Sequence, residues 1–138
     1  MHSLFNILSW TWGGLVTIPG FLVYLFCTKV LRCESHSYHG ITYTVIPFDN
    51  NSGFSMGLFV FLCDNKTTAL PHELGHSIQN ALFGPFNLFC VMIPSVVRFW
   101  SRRRQTAAGN PPTAGYYDIW FERQATNWGE YAIKTEIL

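Results

Sequence analysis

His72, Glu73 and His76 form the pattern His-Glu-x-x-His, the part of this 138-residue sequence best suited to chemistry. Residues four apart in an α-helix lie on one face, so both imidazoles can face a single Zn²⁺ with Glu73 beside them. A catalytic zinc takes a third protein ligand, leaves one position open, and makes a bound water acidic enough to supply hydroxide. Glu73 would accept that water's proton and deliver it to the leaving amine. The pattern therefore predicts a zinc-dependent hydrolase.

The third zinc ligand has to come from another element. Glu122 is the strongest candidate, because it lies 46 residues after His76 on a separate predicted helix. Asp118 and Glu130 are the alternatives. The sequence thus predicts a site that closes only when two helices pack together.

A wider pattern accompanies the motif: His72-Glu73-x-x-His76 is followed by Glu122-x-x-Ala125. The combination resembles the gluzincin pattern of membrane-bound heat-shock proteases and CAAX prenyl proteases, in which HExxH and a downstream E-x-x-A-D hold the zinc. The stretch His-Glu-x-Gly-His-x-x-Gln79 is also similar to small uncharacterised bacterial proteins. The resemblance covers about residues 53–129.

Carried over residue by residue, the resemblance implies His72, His76 and Glu122 as zinc ligands and Glu73 as general base. It also implies that Ala125 leaves space beside the zinc-bearing helix. Thr126 departs from the pattern, because those families usually have Asp there, and that Asp orients a ligand from outside the coordination sphere. Thr126 keeps the capacity for one donated hydrogen bond.

Other polar groups have less specific signals. Tyr116, Tyr117 and Arg123 are near Glu122 in sequence and are candidates to stabilise a developing oxyanion, although their positions favour packing or surface roles over that one. His36 and His39 lie in a polar, turn-like stretch without fixed spacing to the motif, which favours solvated histidines over ligands.

The elements around the motif can be predicted from local signals. Thr67 or Thr68 can cap a helix that has Pro71 in its first turn and ends at Gly84-Pro85. Upstream, runs of β-branched and aromatic residues separated by turn residues predict a β-hairpin of His39–Pro47 and Phe54–Cys63. The second run is either an edge strand that binds the substrate backbone or an ordinary core strand.

Two segments follow the motif helix. Phe86–Trp100 is apolar and short for a full span, which favours a re-entrant or interfacial helix as much as a membrane helix. Arg98 and Arg102 to Arg104 at its end can bind anionic lipid headgroups or serve as a solvated stop signal. Asp118–Trp128 predicts a helix capped by Asp118 and stopped near Gly129.

The amino-terminal stretch Leu4–Val30 has no charge before Lys29 and is long enough to span a bilayer. We expect residues 1–32 to be a transmembrane anchor, since the features of a cleavable signal peptide are missing, and residues 33–138 to be a zincin-like metallopeptidase domain. Lys29 and Arg32 predict that this domain lies on the cytoplasmic side. A content of 49% hydrophobic and 12% charged residues also favours membrane contact.

Together these features predict a mainly helical α+β protein that hydrolyses peptide bonds of membrane-near peptides or proteins with Zn²⁺ as cofactor and the lipid bilayer as partner. A net charge of +1 without a basic, aromatic-rich stretch argues against nucleic acid. The four cysteines are expected to be buried thiols. Two alternatives stay open: a catalytically silent membrane scaffold with a structural zinc closed by a fourth protein ligand, and a soluble or secreted metallopeptidase whose first residues are an atypical leader.

Overall fold

The computed structural model describes residues 2–47, 53–63 and 67–136. In these residues the α+β class is confirmed: five α-helices accompany one four-stranded sheet. The helices are α1 (His2–Trp10), α2 (Gly14–Lys29), α3 (Leu70–Phe83), α4 (Ile93–Ala107) and α5 (Trp120–Lys134). The strands are β1 (Ser35–Tyr38), β2 (Ile41–Ile46), β3 (Gly53–Met56) and β4 (Phe59–Cys63).

The amino-terminal stretch is two helices, so the prediction of one continuous helix over Leu4–Val30 is wrong. α1 and α2 meet at a bend of 93°. The chain turns at Gly13, where the side-chain amide of Asn80 fills the space a Cβ would need and donates to the Gly13 carbonyl. Within the described part of the chain, no single helix passes a length and hydropathy test for crossing a membrane, whereas the bent pair passes as a unit.

Both amino-terminal helices contribute to the main core. Phe5 and Cys27 are buried in one apolar cluster with the strand residues Val60 and Phe61. The indole of Trp12 lies against Gly84 at the end of α3 and donates to the Leu82 carbonyl (3.1 Å). The division at residue 32 stays a prediction, but these helices pack on the same core as the rest of the chain.

The predicted hairpin is wrong in its pairing. The strand order is β1-β2-β4-β3, and β2 and β4 run parallel as neighbours. The two hairpins are β1–β2, turning at His39–Gly40 with φ of 43° and 83°, and β3–β4, turning at Gly57 with φ of 65°. Positive φ at these positions makes tight turns; the turn at Gly57 divides the second predicted strand in two, and the turn at His39–Gly40 lies at the start of the first. β4 is a fully buried central strand, and β3 is the edge strand beside it.

The motif helix α3 begins and ends close to the predicted positions, with Pro71 in its first turn and Gly84 after its last residue. Its cap differs from the prediction, because Thr67–Ala69 form a 3-10 turn and no side chain caps the helix. The helix is amphipathic, and its buried face includes Leu74 and Ala81, which join the core.

The carboxy-terminal helix α5 is longer than predicted. It begins at Trp120 after a 3-10 turn that contains Asp118, and it continues through Gly129 to Lys134. Gly129 lies inside the helix and does not end it. Its Cα faces the Pro71 carbonyl, where any Cβ would collide, so a glycine is needed at this position. Gly75 has the same relation to the backbone of Ala125. These contacts bring α3 and α5 unusually close and so position the site.

Cysteine burial is only partly as predicted. Cys27 and Cys63 are buried, Cys33 is half-buried and Cys90 is exposed. Cys90 lies in a π-helical segment, Leu88–Met92, that leads directly into α4. The residues around Cys90 are apolar. Apolar neighbours are compatible with a buried cysteine and with a cysteine on an exposed apolar surface, so composition could not predict which applies to Cys90.

Candidate metal centre

Three side chains from α3 and α5 converge on one point. The Nε2 atoms of His72 and His76 lie 3.1 Å apart, and the Oε2 atom of Glu122 lies 3.1 Å from the first and 3.2 Å from the second. Among the described residues, these three form the group that could hold a metal ion. Asp118, Glu130, His36 and His39 do not belong to it.

Hydrogen bonds fix the ring of His76. Gln79 donates both hydrogens of its side-chain amide, to the Phe121 carbonyl (2.8 Å) and to Gln124 Oε1 (3.0 Å). The Oε1 atom of Gln79 is therefore the atom that faces His76 Nδ1, at 2.8 Å. A carbonyl oxygen only accepts, so Nδ1 carries a proton, and the Nε2 atom is the one directed at the centre.

Thr126 does the same for His72. Its hydroxyl donates its one proton to the Glu122 carbonyl at 3.1 Å, as the helix position favours, and so accepts from His72 Nδ1 at 2.9 Å. Thr126 thus acts as a hydrogen-bond acceptor toward His72. The Nε2 atom of His72 is left to face the centre.

Glu122 is fully buried, and its other oxygen is held from a third element. Ser95, in the first turn of α4, donates to Glu122 Oε1 at 2.5 Å, and the Tyr116 hydroxyl lies 3.4 Å from Ser95 Oγ. Burial raises the pKa of Glu122, but hydrogen bonds from both histidines and Ser95 outweigh it and the pKa is lowered. Glu122 is therefore a carboxylate, the form that ligates metals.

The surroundings of His76 favour its protonated form when no metal competes for the nitrogen. Burial lowers the pKa of His76, but the hydrogen bond to Glu122 and the charges of Glu73 and Glu122 outweigh that effect and raise it. This proton lies where a cation would bind, so metal binding has to displace it.

Glu73 lies beside the triad and is not part of it. The carboxylate is 5% exposed, accepts a hydrogen bond from Ser55 on β3, and has no partner for Oε2. Burial raises the pKa of Glu73, which makes it a stronger base than an exposed glutamate. A buried carboxylate oxygen without a partner is costly unless a water or ligand completes it.

The triad and Glu73 open into a cavity of about 380 Å³. The edge strand β3 contributes Gly53, Phe54 and Ser55 to one wall. The opposite wall comes from the π-helical segment, α4 and the 3-10 turn before α5, and consists mainly of apolar and aromatic side chains: Val91, Met92, Val96, Phe99, Tyr116 and Tyr117.

Of the three residues predicted as candidates to stabilise an oxyanion, two lie at the cavity and one does not. Tyr116 and Tyr117 line the cavity, and the Tyr117 ring packs edge-on against His72 with centroids 4.8 Å apart. Burial and the charges of Glu122 and Glu73 outweigh the lowering effect of the hydrogen bond with Ser95 and raise the pKa of Tyr116 to about 12, so its phenol stays a hydrogen-bond donor at neutral pH. Arg123 is exposed, reaches toward Asp118 (3.8 Å) and is not among the residues that line the cavity.

The basic cluster at the end of Phe86–Trp100 has a local structural role that was not predicted. Arg98 donates to the carbonyl oxygens of Gly115 and Tyr116, and Arg102 donates to that of Ala114. Both guanidinium groups also lie 5.8 Å from the centre of the Tyr116 ring. These contacts hold the loop that carries Tyr116 and Tyr117 against α4.

Sequence reasoning assigned no role to Gln79, Ser95 or Ser55. Gln79 has a local signal, because it follows His76 by three positions on the same helix face. Ser95 has none, since it is brought to Glu122 across 27 residues by tertiary packing. Comparison of the chain with known protein families, with curated proteins and with solved structures gave no match.

Proposed function

We propose that this protein is a zinc-dependent peptidase with a zincin-like site, in which His72, His76 and Glu122 hold Zn²⁺ and Glu73 is the general base. The observation that carries the proposal is the convergence of the three ligand atoms within 3.1–3.2 Å of one another. Two of them are histidine Nε2 atoms whose rings are held by hydrogen bonds at Nδ1, which is the support that metal-bound histidines receive.

The donor set fits zinc. Bonds of 2.0–2.1 Å in a tetrahedral site place ligand atoms about 3.3 Å apart, close to the distances between these three atoms. Two imidazoles with one carboxylate are a ligand set of catalytic zinc sites, and the unpartnered Oε2 of Glu73 supplies an acceptor for a water next to the ligands. When bound, zinc would acidify that water and polarise the carbonyl of the scissile bond.

The residues of the chain would divide the remaining work. Glu73 takes the proton of the attacking water and passes it to the leaving amine nitrogen. Tyr116 and Tyr117, protonated at neutral pH, are placed in the cavity wall to donate hydrogen bonds to a developing oxyanion. The free edge of β3 can pair with an extended peptide and lay it along the cavity.

We place this activity at a membrane, with the site on the cytoplasmic side and a membrane-near peptide segment as substrate. Support comes from the bent pair α1–α2, whose outward residues Leu15, Ile18, Leu22 and Phe26 are 52–61% exposed. Lys29 and Arg32 follow the pair, and basic residues favour the cytoplasmic flank. Recovery in a salt-washed membrane fraction is expected, and recovery in the soluble fraction would contradict it.

Purified protein should contain about one zinc per chain. Glu73→Gln should keep the zinc and lose about 10²–10⁴-fold of the cleavage rate on casein or a fluorogenic peptide library, because only the base is removed. Glu122→Ala should lose both zinc and cleavage, and Glu130→Gln, an exposed glutamate, is the matched control.

A full complement of zinc without cleavage of any probe would instead support the structural-zinc scaffold. That alternative requires a fourth protein ligand, and in the described residues the group has three members. Protein that cleaves equally well after complete zinc removal would overturn the proposal.

A further inference from the structure

The segment from Phe86 to Trp100 has one face that is buried or lines the cavity and a second face that is exposed. Val91 and Asn87 are buried, and Met92, Ser95 and Phe99 line the cavity. The other face, here called the outer face, consists of six residues that recur at three- and four-residue spacing: Phe86, Phe89, Cys90, Ile93, Val97 and Trp100. The five non-cysteine members are 46–64% exposed, so most of this face is left uncovered by the described residues.

The solvent-exposed face of a helix normally carries charged and polar residues, so a continuous exposed apolar face of this kind is unusual. No charged residue lies between Glu73 and Arg98. The outer face joins the amino-terminal helices at one point, where the rings of Trp12 and Phe86 meet with centroids 6.3 Å apart. Apolar surface thus extends from α4 to the α1–α2 elbow.

The charges around this surface have one sign. Residues 1–33 and 84–107 contain six of the nine basic residues, and all eight acidic residues lie elsewhere. The six are Lys29, Arg32, Arg98, Arg102, Arg103 and Arg104. Arg103 and Arg104 are exposed just beyond Trp100, and Trp at the border of an apolar face next to Arg is the arrangement found at membrane interfaces.

We infer that the outer face docks in the plane of an anionic bilayer, with its apolar side chains in the acyl boundary and Arg103 and Arg104 at the headgroups. The apolar stretch ends at the arginines and is too short to cross, which favours lying in the interface. Val96 is 49% exposed and also lines the cavity, so docking brings the cavity to the bilayer surface.

This inference rests on the membrane location proposed above and names the contact surface. It does not rest on hydrolysis, so vesicle binding can succeed where peptide cleavage fails, and binding should be the same with and without zinc. The two proposals are therefore separable in one preparation.

Cys90 offers a direct test, since it is the exposed cysteine on the outer face. In a Cys33→Ser background, maleimide labelling of Cys90 should slow by about tenfold when vesicles of phosphatidylcholine with about a quarter phosphatidylglycerol are added. A fluorophore on Cys90 should be quenched by brominated acyl chains. The control is Tyr131→Cys in a Cys33→Ser, Cys90→Ser background, because Tyr131 is 61% exposed on α5 and should show neither effect.

A second variant separates docking through this face from attachment by α1 and α2. Val97→Glu should weaken vesicle binding by about tenfold, whereas Tyr131→Glu should leave it unchanged. Both sites are about equally exposed, so folding should be preserved. The inference fails if Cys90 stays reactive on vesicle-bound protein. It also fails if Cys90 is protected without vesicles in a species of dimer mass, which would assign the face to a second copy of the chain.

Discussion

Thr126 holds His72 in a single tautomer: its hydroxyl accepts from His72 Nδ1 at 2.9 Å because its own proton is donated to the Glu122 carbonyl at 3.1 Å. One hydroxyl thereby connects two of the three candidate ligands. The neutral hydroxyl of Thr126 thus supplies the acceptor that orients His72.

Thr126→Val should weaken zinc binding by about 10–100-fold, because the isosteric methyl cannot accept from His72. Thr126→Ser keeps the hydroxyl and should bind zinc within about threefold of the parent protein. Competition with a chromophoric chelator measures both. Equal affinities for the Val and Ser variants would show that the hydrogen bond does not orient the ligand.

Gln79→Leu should have a similar effect through His76. Leucine removes the amide oxygen that accepts from His76 Nδ1, and we expect about 10–100-fold weaker zinc binding. Gln124→Ala is the matched control, since Gln124 contacts the Gln79 amide and not the histidine. A loss of the same size in Gln124→Ala would mean that packing around Gln79, and not its acceptor, sets the affinity.

Gly129→Ala should lower the free energy of unfolding by about 1–3 kcal/mol, because a methyl group there collides with the Pro71 carbonyl and must push α3 and α5 apart. Chemical denaturation of the zinc-free protein measures the change. Gly14→Ala is the control: a Cβ at that helical position meets only the Ile18 side chain at 3.6 Å, and alanine favours the helix. Unchanged stability of Gly129→Ala would contradict the close packing of the two helices.

Zinc removal should lower the melting temperature. A ligand that binds only the folded protein stabilises it by about 2.7 kcal/mol at 100 times its dissociation constant. A chelator should therefore destabilise the parent protein and leave Glu122→Ala unaffected, because that variant lacks a ligand. An equal shift in both, measured by differential scanning fluorimetry, would place the zinc elsewhere.

The part of the fold that could be predicted is the part that depends on residues close to one another in the sequence. Pro71 and Gly84 mark the ends of α3 because proline is favoured in a first helical turn and Gly84 adopts a positive φ of 56°. The turn at Gly57 is also local, but it lies inside a β-prone run that was predicted as one strand, because strand propensity outweighed the glycine signal. The parallel pairing of β2 with β4 has no local signal, since it depends on which strands meet after the chain folds.

The bend between α1 and α2 likewise could not be predicted from the local sequence. Leu4–Val30 is uniformly apolar, and hydropathy cannot distinguish one helix from two. The break depends on Asn80 and Leu82, which bind the elbow from α3 through Gly13 and Trp12. These partners are more than 65 positions away, so no window of sequence around the elbow contains them.

For the candidate site, the residue spacing was sufficient to predict that His72 and His76 share one face, because four positions make about one turn of any α-helix. The sequence pattern could identify Glu122 as a candidate ligand, but it could not predict the position of Glu122 relative to the two histidines. Its approach depends on α3 and α5 touching backbone to backbone at Gly75 and Gly129. Ser95 and Thr126 owe their roles to that contact and to the path of α4, since a hydrogen bond needs distances within about 3.2 Å that separation along a chain does not define. Gln79 lies on the same helix face as His76, and α5 orients its amide.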